Sequence, residues 1–268
     1  ADLELAGLYP FPQLDAPWIQ PSGMRSSVPA PPEPPAHGLV SIILPTYNER
    51  ENILATVGGV LQAVGDPVEV IVVDDDSPDE TWKLVEQLGD SRVRVVRRRA
   101  VRGLASAVNR GIIEASGELV GWMDVDLSMP AGLLSEMVRR ARDVPVVIGS
   151  RYVAGGGDAR PRFRVMTSRW VNGLASLVLG GGVKDYDSGF IVVRREVFDQ
   201  VTLLPVGYGA YFIDFIYHCR KRGLTVLELP YTLVDRTQGT SKSMPNLWRF
   251  LLQGLGYVLT IFQARLRP

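Results

Sequence analysis

The strongest constraint on the fold is a change of pattern at Leu39, where short β-branched runs begin to alternate with stretches of helical periodicity. Apolar runs without polar alternation suit strands buried on both faces, and strands separated by helices imply a parallel sheet with crossover helices. On this reading the strands are Leu39–Leu44, Val68–Asp74, Val93–Arg97, Leu119–Asp124, Val146–Gly149, Phe190–Arg194 and Thr225–Leu229. Between the first two, Ile53, Val57, Val60, Leu61 and Val64 share one helical face, with Asn48 as the expected cap ahead of Glu49 and Glu51. The expected fold is α/β, an open and mostly parallel sheet flanked by helices.

Residues 1–38 break this pattern. They are dense in proline, with the run Pro29-Ala30-Pro31-Pro32-Glu33-Pro34-Pro35, and read as an extended, polyproline-like tail. Acidic and basic residues balance at 29 each, so no global field points to nucleic acid as a partner. Cys219 is the only cysteine, which excludes an internal disulfide and suits a reducing compartment. No apolar run approaches the ~20 residues needed to span a bilayer, so the chain as written is not expected to cross one.

The chemistry-bearing residues fall at strand ends. The first strand runs into Pro45-Thr46-Tyr47-Asn48-Glu49 and the second into Asp74-Asp75-Asp76-Ser77-Pro78-Asp79. In an open parallel sheet ligands bind outside the carboxyl ends of strands, so both clusters emerge at one rim, where a nucleotide would sit. Asp75, Asp76 or Ser77 also suits a helix cap. Three successive aspartates repel one another unless a ligand, a metal or a cationic side chain compensates. The fourth strand runs into Asp124-Val125-Asp126-Leu127-Ser128. Alternate spacing in an extended segment would send both carboxylates one way, and paired oxygen donors beside a diphosphate are what Mg²⁺ or Mn²⁺ prefers.

Five ordered blocks now carry a resemblance. Pro45 to Glu49, Val72 to Asp79, Arg102-Gly103-Leu104-Ala105-Ser106-Ala107, Met123 to Ser128 and Gly149-Ser150-Arg151-Tyr152 together resemble family 2 glycosyltransferases of GT-A fold, and among them the dolichol- and polyprenol-phosphate mannose synthases. The resemblance runs from about Leu39 to Lys242. It implies a metal-dependent, inverting transfer of a sugar, most simply mannose from GDP-mannose, to a polyprenyl or dolichyl phosphate. Donor contacts would fall to Pro45, Tyr47, Glu49, Asp74, Asp76, Arg102, Asp124 and Asp126, with Arg236 and Lys242 on a loop closing over the diphosphate. The metal set would be Asp124 and Asp126 with Ser128, which stands where many members carry glutamine. Arg151, Arg164 and Ser168 would take the acceptor phosphate and Asp187 would support the acceptor side.

Other readings stay open at this stage. The cations around Arg164 also suit a solvated basic face or one touching anionic lipid. A UDP-sugar donor and a non-catalytic nucleotide-binding scaffold remain alternatives, whereas an oxidoreductase is disfavoured because no Gly-x-Gly-x-x-Gly follows the first strand. The chain divides, on this reading, into a tail (1–38), a catalytic domain (39–243) and a terminal amphipathic helix (244–268). That helix presents Leu247, Trp248, Phe250, Leu251, Leu255, Tyr257, Val258, Leu259, Ile261 and Phe262 on a broad apolar face. It suits the interface at the cytoplasmic side of a membrane, with Arg265 and Arg267 toward anionic headgroups, the flank of a further membrane segment or a membrane-protein partner. It equally suits packing on the catalytic domain.

Overall fold

The computed structural model describes residues 38–205, 209–235 and 247–267; the proline-rich segment lies outside the described residues. In chain order the elements are β1 (Val40–Thr46), α1 (Ile53–Val64), β2 (Val68–Asp74), α2 (Thr81–Gln87), β3 (Val93–Arg97), α3 (Leu104–Glu114), β4 (Leu119–Trp122), α4 (Leu133–Ala141), β5 (Val146–Ser150), β6 (Gly157–Asp158), α5 (Arg162–Leu179), β7 (Ile191–Arg194), α6 (Ala210–Lys221), β8 (Val226–Pro230), β9 (Thr232–Leu233) and α7 (Leu247–Leu266). Seven strands form one sheet in the order β3-β2-β1-β4-β7-β5-β8. Only β7 runs against its neighbours, pairing antiparallel with β4 and with β5, so the sheet is mostly parallel as expected. The short strands β6 and β9 pair separately.

Strand residues alternate between two cores, which explains why the runs are apolar throughout. Val40, Ile42 and Leu44 of β1, with Val68, Val70 and Val72 of β2, face α1 and α4 through Ile53, Val57, Val60, Leu134 and Met137. Ile43, Ile71, Val73, Val120 and Trp122 face the opposite way, toward Val108 of α3, Ala175 of α5, Phe212 and Phe215 of α6 and Ile261 of α7. Trp122 is fully buried, edge-on to Phe212 and Phe215 with ring centroids 6.5 and 5.9 Å away. Its indole nitrogen donates to the Tyr211 hydroxyl at 3.1 Å, so its one polar atom is satisfied.

Two local expectations need correction. Asn48 does not cap α1: its own φ is 54° and its amide donates to Ser77 Oγ at 3.0 Å, while Asn52 occupies the capping position. The Asn48 turn is thereby tied to the end of β2. The fourth strand stops at Trp122, short of Asp124, and Asp126 lies in a bend that includes Leu127 at φ 60°.

The terminal helix α7 packs on α5 and α6. Ile261 and Ala264 are buried, and Tyr257, one turn earlier, is partly buried on the same stripe. Arg267 donates to Asp214 Oδ2 at 2.7 Å and to His218 Nε2 at 3.2 Å, and Arg265 donates to the Tyr217 hydroxyl at 3.1 Å. Both arginines, expected to meet headgroups, are therefore engaged within the fold. The opposite stripe of α7 exposes Leu255, Leu259, Phe262 and Leu266, and α5 exposes Met166, Trp170 and Leu177. No described helix is long and apolar enough to cross a membrane.

The closeness of α3 to the sheet has a measurable consequence. A Cβ placed on Gly111 would lie 2.3 Å from Ile43 Cγ2, whereas one on Gly58 of α1 would meet nothing within 4 Å. Gly111→Ala is expected to destabilise the fold by about 1–3 kcal/mol through overpacking, while Gly58→Ala is neutral or stabilising by up to about 1 kcal/mol through helix propensity. Thermal unfolding of the two variants measures the difference.

Candidate active site

The topology sets the place of the site. The chain proceeds from β1 outward to β2 and β3, then returns to place β4 on the other side of β1, which opens a crevice at the carboxyl ends of β1 and β4. Pro45, Tyr47, Glu49, Asp75, Arg102, Gly103 and Asp124 line one cleft there. Arg102 reaches across it, its guanidinium 5.0 Å from the Tyr47 ring centroid and 3.2 Å from the Tyr47 hydroxyl.

The three successive aspartates are compensated within the protein. Asp74 is fully buried and accepts from Thr46 Oγ1 (2.9 Å), the Ser77 amide (2.8 Å) and Ser77 Oγ (2.7 Å). Asp76 pairs with Arg97, Nε to Oδ1 at 2.6 Å, and that guanidinium stacks on Trp82. Neither is among the residues that line this cleft. The middle residue is: Asp75 holds Arg98 through Oδ1 and accepts the Gly103 amide at Oδ2, 2.7 Å away, fixing the start of α3 at the cleft.

A second cleft adjoins the first and shares Leu104 and Asp124 with it. Asp126, Ser128, Arg151, Arg160, Arg164, Asp187, Tyr211 and Tyr257 also line it. Asp126 is buried and its Oδ1 accepts the Ser128 amide at 3.1 Å, which fixes the turn after β4. Arg151, at the end of β5, is buried and gripped by Asp185: Nε to Oδ2 at 2.8 Å, Nη2 to Oδ1 at 2.6 Å, and the main-chain amide to Oδ2 at 2.9 Å. Its Nη2 also donates to the Asp187 carbonyl at 3.0 Å. Burial works against the Arg151 charge, but Asp185 outweighs it and keeps the guanidinium protonated. Arg160 is held by Asp158 at 2.7 Å, and Arg164 Nη1 lies 3.3 Å from Asp235 Oδ1.

Burial pushes the Asp187 carboxyl up to about 6; Arg151 opposes the shift and Asp185 adds to it, while Arg160 and a hydrogen bond from Tyr257 oppose it. Ser168, expected beside Arg164 on one helical face, lines neither cleft and is buried next to Tyr152. Arg236 and Lys242 lie outside the described residues. Asp124 and Asp126 are hard oxygen donors on one turn, and no larger group of acidic, histidine or cysteine side chains suited to a metal occurs among the described residues. They fit a cation that draws its remaining oxygens from substrate and water, as Mg²⁺ commonly does.

The sequence reading missed Asp75, Arg160, Asp185 and Tyr257. Strand-end position was a usable signal for Asp75. Asp185 has no local signal, since its partner Arg151 is 34 residues away.

With this geometry, the chain is similar to proteins of known kind. The profile described as glycosyl transferase family 2 matches residues 41–202. A dolichol-phosphate mannosyltransferase of Pyrococcus furiosus is 37% identical over 211 residues, 76% of this chain and 58% of that protein, so the chain spans less than two thirds of that relative. A polyprenol monophosphomannose synthase of Mycolicibacterium smegmatis is 35% identical over 211 residues, 75% of this chain and 79% of that protein. Among solved structures, glucosyl-3-phosphoglycerate synthase of Mycobacterium tuberculosis, in complex with Mn²⁺, UDP-glucose and phosphoglyceric acid, superposes with TM-score 0.67 at 20% identity, covering 87% of this chain and 81% of that one. The same synthase with UDP gives TM-score 0.66 at 21% identity, covering 87% of this chain and 82% of that one. These structures share the fold.

The Arg151–Asp185 pair is a further point of test. Asp185→Asn leaves a buried guanidinium without its compensating carboxylate, and is expected to cost about 3 kcal/mol or more in chemical denaturation. An exposed-pair control, Glu136→Gln, is expected to change stability by no more than about 1 kcal/mol.

Proposed function

Because the chain belongs to glycosyltransferase family 2, we propose that it transfers mannose from GDP-mannose, with inversion, to the phosphate of a polyprenyl or dolichyl monophosphate. The observation that carries this reading is the position of Asp124, which lines both clefts. One cleft begins at the strand ends where a nucleotide binds, and the other carries Arg151, Arg160 and Arg164. A donor diphosphate and an anionic acceptor would thus meet at one turn. The names of the relatives from Pyrococcus and Mycolicibacterium support mannose and a polyprenyl phosphate.

On this proposal Pro45, Tyr47, Glu49, Asp75 and Arg102 receive the nucleotide, and Arg236 and Lys242 reach the diphosphate. Asp124 and Asp126, with Ser128 beside them, would hold Mg²⁺ or Mn²⁺, and the ion when bound would neutralise charge developing on the departing diphosphate. The metal complexes of the mycobacterial synthase support a divalent ion in this fold. Arg151, Arg160 and Arg164 align the acceptor phosphate for attack. A phosphate monoester has a second pKa near ~6 and is largely ionised at neutral pH, so it attacks without a general base. That agrees with the histidines. His37 lies outside the described residues, and His218 is buried in α6 with Nδ1 2.8 Å from the Asp214 carbonyl and is part of neither lining. Asp187 would act as a base only for an alcohol acceptor.

The apolar side chains exposed on α5 and α7 support docking of this face on the cytoplasmic surface of a membrane, where a polyprenyl carrier resides. The helices would lie on the bilayer, with the arginine cleft opening toward the headgroups.

Incubation with labelled GDP-mannose or UDP-glucose, Mg²⁺ or Mn²⁺ and a short polyprenyl phosphate tests the proposal. Lipid-linked mannose is expected, and it is expected to disappear on chelation. Asp126→Ala is expected to lower transfer by at least about 100-fold, in the range of a lost electrostatic contact to the transition state, while the variant still unfolds cooperatively. Product only from UDP-glucose would replace the donor, and full transfer by Asp126→Ala would remove the metal assignment.

A further inference from the structure

Tyr257 reaches the arginine cleft from a helix that the motifs of the site do not include. Burial of Ile261 and Ala264 docks α7 on α5 and α6, and Tyr257 precedes Ile261 by one helical turn on the same face. Its hydroxyl and the Asp187 carboxylate both border Gly209 in this cleft, and the tyrosine favours the ionised form of that carboxyl. The opposite wall is the glycine that precedes α6. A Cβ on Gly209 would lie 2.0 Å from the Tyr257 hydroxyl oxygen, 3.0 Å from its ring carbon Cζ and 3.3 Å from Asp187 Oδ1. Gly209 has φ −122° and ψ −18°, outside the left-handed region that favours glycine. Space for the tyrosine hydroxyl, and not backbone freedom, accounts for glycine at this position.

We infer that Tyr257 is a positioning residue of the acceptor cleft, acting through Asp187 on Arg151, and that Gly209 lacks a side chain in order to admit it. The inference rests on the acceptor reading given above. The chain of contacts is short. Tyr257 stands beside the Asp187 side chain, the Asp187 carbonyl accepts Arg151 Nη2 at 3.0 Å, and Asp187 Oδ2 stands 3.8 Å from the same nitrogen. Losing the hydroxyl frees the Asp187 carboxylate to turn toward Arg151 and compete with an incoming phosphate. Asp185 keeps Arg151 in place, so the loss weakens acceptor binding without unmaking the site. The nucleotide cleft contains none of these residues and is unaffected. Helix α7 thereby supplies part of the acceptor cleft as well as an exposed apolar face.

The test uses Tyr257→Phe, Gly209→Ala and the double variant in the full chain, each confirmed to unfold cooperatively. Tyr257→Phe is expected to raise the acceptor KM by about three- to tenfold, the range of one net hydrogen bond, and to change kcat by less than about twofold. The thermal shift given by GDP with Mn²⁺ is expected to stay that of the wild type. Gly209→Ala is expected to raise the acceptor KM at least as far, because its methyl displaces the hydroxyl. The double variant is expected to resemble Tyr257→Phe alone, since the tightest contact is then gone and the two effects cannot add. A wild-type acceptor KM in Tyr257→Phe, or strictly additive effects, overturns the inference while leaving the proposed function standing. Failure of the unaltered protein to glycosylate polyprenyl phosphate overturns the acceptor reading and the inference with it.

Discussion

The site depends on how carboxylates crowded at one rim of a sheet are compensated by the groups around them. Asp74 ends β2, and Asp75, Asp76, Asp124, Asp126, Asp185 and Asp187 lie beyond strand ends on the crevice side. Unassisted, their repulsion and desolvation would favour neutral forms. Different groups answer at each position: hydroxyls and an amide at Asp74, Arg98 at Asp75, Arg97 at Asp76 and Arg151 at Asp185. Each answer also fixes a piece of structure. Asp75 anchors the start of α3 through the Gly103 amide, and Asp185 fixes Arg151 by both side chain and main chain. At Asp187, burial pushes the carboxyl up to about 6.

Geometry makes this crowding useful. With β1 between β2 and β4, turns far apart in sequence converge on one crevice, and Asp124 sits where two clefts meet. The cleft on the β1 side is walled by Pro45, Tyr47 and the Arg102 that crosses it, which suits a flat, polar ligand. The other is walled by guanidinium groups that already have carboxylate partners. Such pairing holds the arginines in place before any anion arrives, which lowers the entropy lost on binding. It also means that an anion must compete, and Asp235, with its side chain half exposed, can be drawn away from Arg164 at less cost than buried Asp185 from Arg151.

The sequence made the sheet readable because burial on both faces demands continuous β-branched runs, and β2 and β3 begin and end where those runs do. It did not disclose that β7 runs antiparallel, since strand direction is set by connections and not by composition. Nor did it disclose the two-residue strands β6 and β9, too short for any periodicity. The strand-end motifs located the crevice, but they could not say which aspartate of three faces it. Backbone turning after β2 gives that place to Asp75, while Asp74 and Asp76 serve Ser77 and Arg97. Ser168 follows Arg164 by one turn of α5, as its spacing implied, and is buried beside Tyr152, a neighbour that spacing could not name.

The terminal helix illustrates why an amphipathic pattern alone cannot decide between a membrane and a protein surface. Both uses require apolar stripes, and α7 has two of them. The stripe containing Ile261 and Ala264 is consumed by α5 and α6, and the basic residues that suggested headgroups are spent on Asp214, His218 and Tyr217. The stripe containing Leu255, Leu259, Phe262 and Leu266 remains outward. Because the inner stripe also carries Tyr257 into the cleft, the two faces of one rigid helix bear on different parts of a single task. If an external surface holds the outer face, the inner face is held with it, and the cleft that Tyr257 lines is ordered by the same contact.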